Sequence, residues 1–311
     1  MNLSVILCTF NRSVALRKAL ESIVGQTIHN SVEWEVLVVD NNSKDETREV
    51  IEDFCYRYPG RFRYLFEPEQ GKSQALNSGI REARGDIIAF TDDDVIAEST
   101  WLQNLTSSLS NADWVGAGGR TLPQKAFSAP DWLACDDSHA LGPLAMFDKG
   151  CEPRELDEPP YGNNMAYRKE VFEKYGDFRN ELGPRPGNQI RGEDTEFGQR
   201  LLTAGERLVY EPSAVVYHDV PEKRVTKAYF LDWWFDKGRA GIEESGIPSD
   251  AKWLVAGIPI LYFSRLVVWT CRWMCGTTSS RRFSCQRRVW WLAGTVVQCF
   301  RKSHAKRVLG S

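Results

Sequence analysis

From residue 251 to the end of the chain there is no aspartate or glutamate, although that stretch holds 11 of the 39 lysines and arginines and five of the 11 tryptophans. The first 250 residues carry all 42 acids against 28 bases, a local charge of −14 that the overall −3 conceals. So sharp a break marks a boundary near Pro248 to Lys252 and a different kind of partner on each side. Other absences narrow the class. No G-x-G-x-x-G follows the first apolar run and no G-x-x-x-x-G-K-[ST] occurs, which disfavours a dinucleotide cofactor or a P-loop ATPase. Met1 leads straight into NLSVILCTFNR without a basic leader or small-residue cleavage site, so no signal peptide is expected. The eight cysteines are scattered rather than framed, and in a cytoplasmic setting they are expected as reduced thiols. Cys271, Cys275, Cys285 and His304 imitate a zinc set, but with poor spacing in apolar surroundings. Long apolar runs are also missing. Arg265 and Arg272 interrupt the stretch from Trp253 to Cys275, and arginines flank that from Val289 to Phe300, so neither reaches the roughly 20 clean residues needed to span a bilayer. An arginine near the centre of a span costs about 3 kcal/mol on insertion scales. Helices lying in the interface of an anionic leaflet suit this composition better. An acidic body without a recognised module argues against nucleic acid.

At 311 residues the chain has room for one large or two ordinary domains, with the apolar and charged fractions of a globular protein. Its first half alternates two periodicities. SVILCTF, EWEVLVVD, RFRYLFE and GDIIAF read as buried strands. Between them, Leu16, Leu20 and Ile23 share one helical face, as do Thr47, Val50, Ile51 and Phe54, and KSQALNSGIREAR gives a third helix. Ser43 and Glu46 have the spacing of a capping box. Strand–helix alternation with short links predicts an α/β fold, a mainly parallel sheet covered on both faces.

In such a sheet ligands collect at the carboxyl ends of the strands, where strand order switches. Three polar clusters fall there: Thr9–Arg12, Asp40–Ser43 and Asp92–Asp94. Each alone is as compatible with turn chemistry as with binding. Three adjacent carboxylates repel unless water or a cation relieves them. If the strand continues through them, Asp92 and Asp94 point one way and Asp93 the other. Hard carboxylate oxygens suit Mg²⁺ or Mn²⁺, which commonly bind through one or two protein carboxylates plus substrate phosphates.

The segments SVILCTFNR, VLVVDNNSKDET, GKSQALNSGIREARGDIIAFTDDDV, YGNNMAYRKEVFEKYGDF, RGEDTEFGQRLL and VVYHDVPEKRVTKAYF, in this order over roughly residues 3–240, resemble glycosyltransferase family 2 with the GT-A fold. The likeness is to bacterial polysaccharide-building members with a basic, apolar tail. It implies a catalytic domain over 1–245, its nucleotide-binding half 1–115 and its acceptor half 116–245, followed by a helical, membrane-associating tail over 250–311. Carried across, Thr9, Phe10 and Arg12 line the nucleotide pocket, Asp40 accepts from the base, Asp93 holds the ribose and Asp94 binds Mn²⁺ or Mg²⁺. Asp92 serves as donor contact and further metal ligand, and His218 completes the metal site. Lys72 and Asn77, and more loosely Asn163, Asn164 and Arg168, are substrate contacts. Two departures stand out: Cys8 replaces the usual proline of the first motif, and Asp40-Asn41-Asn42-Ser43 replaces D-D-G-S.

Glu193 and Asp194 open a helix marked by Phe197, Leu201 and Leu202. Acids are favourable at any helix N-terminus, but the resemblance makes this pair the catalytic one, with Asp194 the base that deprotonates an acceptor hydroxyl. The implied activity is metal-dependent, inverting sugar transfer from a nucleotide-sugar, read as a UDP-sugar, to a glycan or lipid-linked acceptor at the inner face of the cell membrane. Two alternatives stand beside it. A non-catalytic membrane-associated nucleotide-sugar binder needs no base, and a sugar-phosphate nucleotidyltransferase needs a glycine-rich loop that CTFNRS lacks.

Overall fold

The computed structural model describes residues 2–29, 32–111, 113–133, 141–249 and 253–309. Strands β1 (Asn2–Thr9), β2 (Glu33–Asp40), β3 (Phe62–Phe66) and β4 (Ile87–Asp92) alternate with helices α1 (Ser13–Val24), α2 (Thr47–Arg57) and α3 (Lys72–Glu82). The apolar periods dictate this. Leu16, Ala19, Leu20 and Ile23 of α1 and Thr47, Val50, Ile51 and Phe54 of α2 form buried stripes. Along β1, Val5 and Leu7 enter one apolar layer with Leu16, Phe54 and Trp101, whereas Ile6 enters the other with Leu76, Phe172 and Phe197. The chain continues through β5 (Val95–Ala97), α4 (Trp101–Ser107), β6 (Gly116–Pro123), β7 (Arg154–Leu156), β8 (Asn164–Arg168), α5 (Glu170–Tyr175), α6 (Glu193–Thr203) and β9 (Leu208–His218).

Among the described residues the main sheet runs β3-β2-β1-β4-β8-β6-β9-β5, with β7 also on β9. The expected helix-covered α/β sheet is present. Its β3-β2-β1-β4 part is parallel, and β8 runs antiparallel to both β4 and β6. From β1 the chain steps outward to β2 and β3, then restarts on the other edge of β1 with β4. That switch in strand order leaves a crevice at the carboxyl ends. The register sets Thr9 beside Asp40 and Cys8 beside Asp92. The capping box does not form. Ser43 Oγ instead accepts from the Asn11 amide of the neighbouring loop at 3.0 Å, and Asp45 takes the Thr47 amide.

Asn164 and Arg168, expected near substrate, hold the sheet. Between β6 and β9 the register slips from Gly119↔Glu211 to Arg120↔Val215. The Asn164 amide nitrogen takes the carbonyls of Arg120 and Ala214 at 3.0 and 2.9 Å, and its oxygen accepts from Trp101 Nε1 at 2.8 Å. A Cβ on Gly119 would collide with that amide and the Ala214 carbonyl. Asn163 is likewise buried, bonded to Thr121 and Ala145. Arg168 takes the carbonyls of Leu109, Asn111 and Trp114.

Residues 1–126, 145–187 and 193–219 form one compact unit; 127–144, 188–192 and 220–311 form a second. The second contains α7 (Lys227–Ser245), a hairpin of β10 (Leu254–Val255) and β11 (Ile258–Pro259), α8 (Ile260–Met274) and α9 (Ser279–Leu309). The expected boundary from Pro248 to Lys252 lies partly outside the described residues. The break in packing falls earlier than the break in composition: α7, expected in the catalytic domain, packs with α9. Their backbones meet at glycines, since a Cβ on Gly238 would strike the Trp291 carbonyl and one on Gly294 the Phe235 carbonyl. Beside them Trp132, Phe230 and Phe283 make an edge-to-face cluster. Among the described residues, no helix is long and apolar enough to cross a membrane.

At the amino-terminal edge of the sheet, Glu35 is 7% exposed and ties four segments together. It accepts from Ser4 Oγ, Arg63 Nη1 and the Arg84 amide, each at 2.8 Å. Burial opposes its ionisation, but these hydrogen bonds outweigh it and hold the carboxyl below its usual range. Its contribution is therefore full above the usual pKa of 4.5 and fades as pH falls through the lowered value. Replacing Glu35 by Gln should lower stability by about 2–3 kcal/mol at pH 7, because Arg63 loses its buried partner. Thermal midpoints followed from pH 7 to 3 should show the gap to wild type closing on acidification; equal midpoints at pH 7 would refute the latch. Asn164→Ala frees three buried polar groups and should cost about 3 kcal/mol or more. Chemical denaturation checks this.

Candidate active site

β4 ends at Asp92 and the chain turns at Asp93 and Asp94 before β5. The alternation expected across the three aspartates thus stops at the first. Asp93 and Asp94 face one cation: Arg12 Nη1 lies 2.9 Å from Asp93 Oδ1 and 2.9 Å from Asp94 Oδ2. Thr9 Oγ1, at the end of β1, donates to Asp93 Oδ2 at 2.8 Å. Asp92 turns to Lys72, the first residue of α3, with Nζ to Oδ1 2.7 Å. Three neighbouring carboxylates are therefore divided between two cations delivered by the strand-to-helix loops.

The electrostatics follow from this division. Burial pushes the Asp93 carboxyl up to about 6, with Asp94 and Asp92 adding to the push and Arg12 and Thr9 opposing it. Burial disfavours a charged Lys72, but Asp92, Glu193 and Asp194 outweigh it and hold the ammonium above its ordinary range. Burial and the nearby carboxylates hold Cys8, beneath them, as a thiol, although Lys72 pulls the other way.

His218 closes β9, and β5 pairs with β9 so that Val95 lies opposite it. The Asp219 amide donates to the Asp94 carbonyl at 3.2 Å. Together these contacts place His218 Nε2 3.5 Å from Asp94 Oδ1. Adjacent ligands on a metal with bonds of about 2.1 Å lie about 3 Å apart, so Asp94 and His218 fit one divalent ion. Among the described residues no trio of His, Cys, Asp or Glu gathers to hold a metal unaided. A two-residue protein contribution, completed by phosphate and water, matches the chemistry of Mg²⁺ and Mn²⁺. Asp92, expected as a further ligand, is directed to Lys72 instead.

Beside β1, Asp40 is buried at the end of β2. Its oxygens accept from the Ser43 amide at 2.9 Å and Tyr64 Oη at 3.2 Å. Asn41, second in the Asp40-Asn41-Asn42-Ser43 cluster, clamps the loop before α3. Its Nδ2 takes the carbonyls of Glu67 and Glu69, and its Oδ1 accepts the Gly71 amide at 2.7 Å. Asn42 has φ 65°, the left-handed conformation that glycine would supply in D-D-G-S and that asparagine tolerates best among other residues. Asn11, at φ 51°, receives the Lys44 amide and joins the first two loops. Phe10 lies partly exposed at the same edge. Asn77 is not free for a donor. Its amide bonds the Phe178 carbonyl, the Asn180 side chain and the Phe178 amide, pinning segment 178–180 to α3.

α6 brings the acidic pair to the same crevice. Glu193 is 4% exposed and faces Lys72, Oε1 to Nζ 3.7 Å. Burial and Asp194 raise its pKa against the pull of Lys72. Asp194 is more open. Its Oδ2 accepts the Gly162 amide and its Oδ1 the Thr195 amide, both at 2.7 Å. Thr195 Oγ1 also donates to Oδ1, at 3.3 Å, so these bonds fix the carboxylate plane and leave a lone pair on Oδ2. Gly162 went unnoticed in the sequence, where only its place in YGNN before the acidic helix hinted at it.

A second concavity of about 850 Å³, lined by Trp34, Tyr58, Arg61 and Arg84 among others, opens at the opposite edge of the sheet. Its Arg61 stacks on Trp34 at 3.9 Å, and the acids that line it, Glu33 and Glu35, stand among Arg57, Arg61 and Arg84.

The profile of Glycosyl transferase family 2 matches residues 4–176. Succinoglycan biosynthesis protein ExoM of Rhizobium meliloti is 28% identical over 243 residues, 77% of this chain and 74% of that protein. Glycosyltransferase AglE of Haloferax volcanii is 26% identical over 242 residues, 75% of each. The solved mannosyltransferase PcManGT from Pyrobaculum calidifontis, in complex with GDP-Man and Mn²⁺, shares the fold with a TM-score of 0.59 at 18% identity, over 99% of this chain and 76% of that one. GalNAc-T7 with UDP, GalNAc and Mn²⁺ gives 0.58 at 18% identity, over 80% and 52%. With its GT-A sheet and more than half its length inside the family profile, the chain belongs to glycosyl transferase family 2 and is a glycosyltransferase.

Proposed function

We propose that the enzyme moves a sugar from a UDP-sugar to a hydroxyl of a glycan or lipid-linked acceptor, inverting the anomeric centre in a single displacement. The observation that carries this reading is the meeting of Asp92–Asp94, Arg12, Lys72 and the Glu193–Asp194 pair in one crevice at the carboxyl ends of parallel strands. Asp40 sits where a base would enter, with lone pairs left to accept its ring N–H. Arg12, its side chain 45% exposed, turns from Asp93 and Asp94 onto the donor diphosphate, which opens Asp93 to the ribose. Asp94 and His218 would hold Mn²⁺ or Mg²⁺, which when bound neutralises charge on the departing diphosphate. Lys72 holds Asp92 and Glu193 in place.

Asp194 is the base. It is preferred to Glu193 because Glu193 is buried against Lys72, whereas the Asp194 carboxylate is only half-buried and is oriented by two backbone amides. It accepts the proton as the acceptor oxygen attacks, a role worth roughly 10²–10⁴-fold. We place the enzyme at the inner face of the cell membrane, held there by its tail. The support is that tail's arginines, its tryptophans and its lack of acids.

With a panel of UDP-, GDP- and dTDP-sugars and Mn²⁺, diphosphate release should appear for one donor and vanish with EDTA or Asp94→Ala. Asp194→Asn should lower transfer by about 10²–10⁴-fold, with donor affinity within about threefold of wild type. Wild-type turnover by Asp194→Asn would remove it as the base. Release that survives EDTA would remove the metal.

A further inference from the structure

Eight of the 13 large hydrophobic residues exposed among the described residues lie between Trp253 and Met274. Three of them, Trp253, Leu254 and Val255, stand on the hairpin, whose turn at Ala256 and Gly257 has φ of 52° and 82°. The other five are on α8. There the periodicity is telling. At 3.6 residues per turn Met274, Val267, Ile260, Cys271, Ser264, Cys275, Val268 and Leu261 fall in that order across an arc of about 140°, and Arg272 and Arg265 follow at one edge. All ten are exposed, with Val267 at 65% and Met274 at 74%. The opposite side of α8, with Tyr262, Phe263, Leu266 and Trp269, packs into the apolar cluster that includes Leu292 and Cys299 of α9.

The two tail helices therefore have different roles. α9 is an internal strut, in contact with α7 and α8. α8 has one face in the unit's core and one apolar face in water, bordered by cations. A globular surface does not expose such a stripe without use. Its border extends onto the start of α9: Arg272 and Arg288 both stack on Trp269, at 4.8 and 4.4 Å, and Trp273 meets Trp290 at 5.7 Å. Arginine and tryptophan side by side along an apolar stripe match the zone between headgroups and acyl chains. At 15 residues α8 is about 22 Å long, too short to cross a bilayer and long enough to lie in its interface. A second copy of the chain fits less well, because an antiparallel two-fold contact on this face would set the arginine edges of both helices side by side, with no acid in residues 251–311 to separate them.

We infer that the exposed arc of α8, together with the hairpin before it, is the surface by which the protein docks on anionic lipid. The inference rests on the membrane attachment proposed above and locates it on one helix face.

The full-length protein would be floated with vesicles of phosphatidylcholine, alone or mixed with phosphatidylglycerol. Wild type should float with the mixed vesicles, and added salt should weaken this. Val267→Glu with Val268→Glu should weaken flotation by at least about tenfold. Phe300→Glu, the same kind of change at an exposed site on α9, should stay within about twofold of wild type. Donor turnover without lipid should be unchanged in both, which shows that they fold. If the double variant floats like wild type, attachment stands but the α8 face is wrong. If wild type floats with neither vesicle, the attachment reading falls and the inference with it. A dimer that the double variant splits would then assign the face to a second copy.

Discussion

Everything near the crevice answers to one electrostatic problem: three consecutive carboxylates at the end of a buried strand. Asp92, Asp93 and Asp94 cannot all stay ionised in a low-dielectric surrounding unless cations stand against them. The fold supplies two, from opposite sides. Arg12 arrives on the loop after β1 and spans Asp93 and Asp94, while Lys72 opens α3 and takes Asp92. Because Lys72 also faces Glu193, the charge balance of the donor side extends to the acidic pair of α6. The site is thus one coupled network. Displacing either cation by substrate or metal must redistribute charge across it.

Such a network needs loops that do not wander, and asparagine side chains hold them. Asn11 joins the first loop to the second, and Asn41 joins the second to the third. Asn77 pins segment 178–180 to the helix that carries Lys72. Asn164 fills the slip between β6 and β9, below the strand end that delivers His218. Asparagine suits these places because one side chain both donates and accepts, satisfying backbone groups that no strand or helix reaches. In sequence, such a residue looks the same whether it binds a ligand or a carbonyl. For that reason Asn77, Asn163 and Asn164 look in sequence like substrate contacts.

The second unit shows the same limit on a larger scale. Composition located a tail with its own chemistry, but α9 (Ser279–Leu309) extends well beyond the apolar stretch from Val289 to Phe300 on both sides. Composition could not show that α7 belongs with α9, because that pairing depends on where Gly238 and Gly294 let two backbones approach. Nor could it separate two helices of similar make-up into one that is packed and one whose apolar side faces out.

What the sequence determined by itself was local and periodic. Apolar runs and stripes set the first four strands to within about two residues and the buried faces of the first three helices, and the order of motifs set the parallel start of the sheet. The polar clusters at the strand ends, and the likeness to family 2, were legible there too. Tertiary structure alone decided the partnerships. Asp93 and Asp94 share a cation because β4 ends at Asp92, two residues earlier than alternation assumes. Asp94 meets His218 because β5 pairs with a strand more than a hundred residues away. Long-range register and the end of a strand depend on the packing of the whole sheet, and no local pattern of residues encodes that.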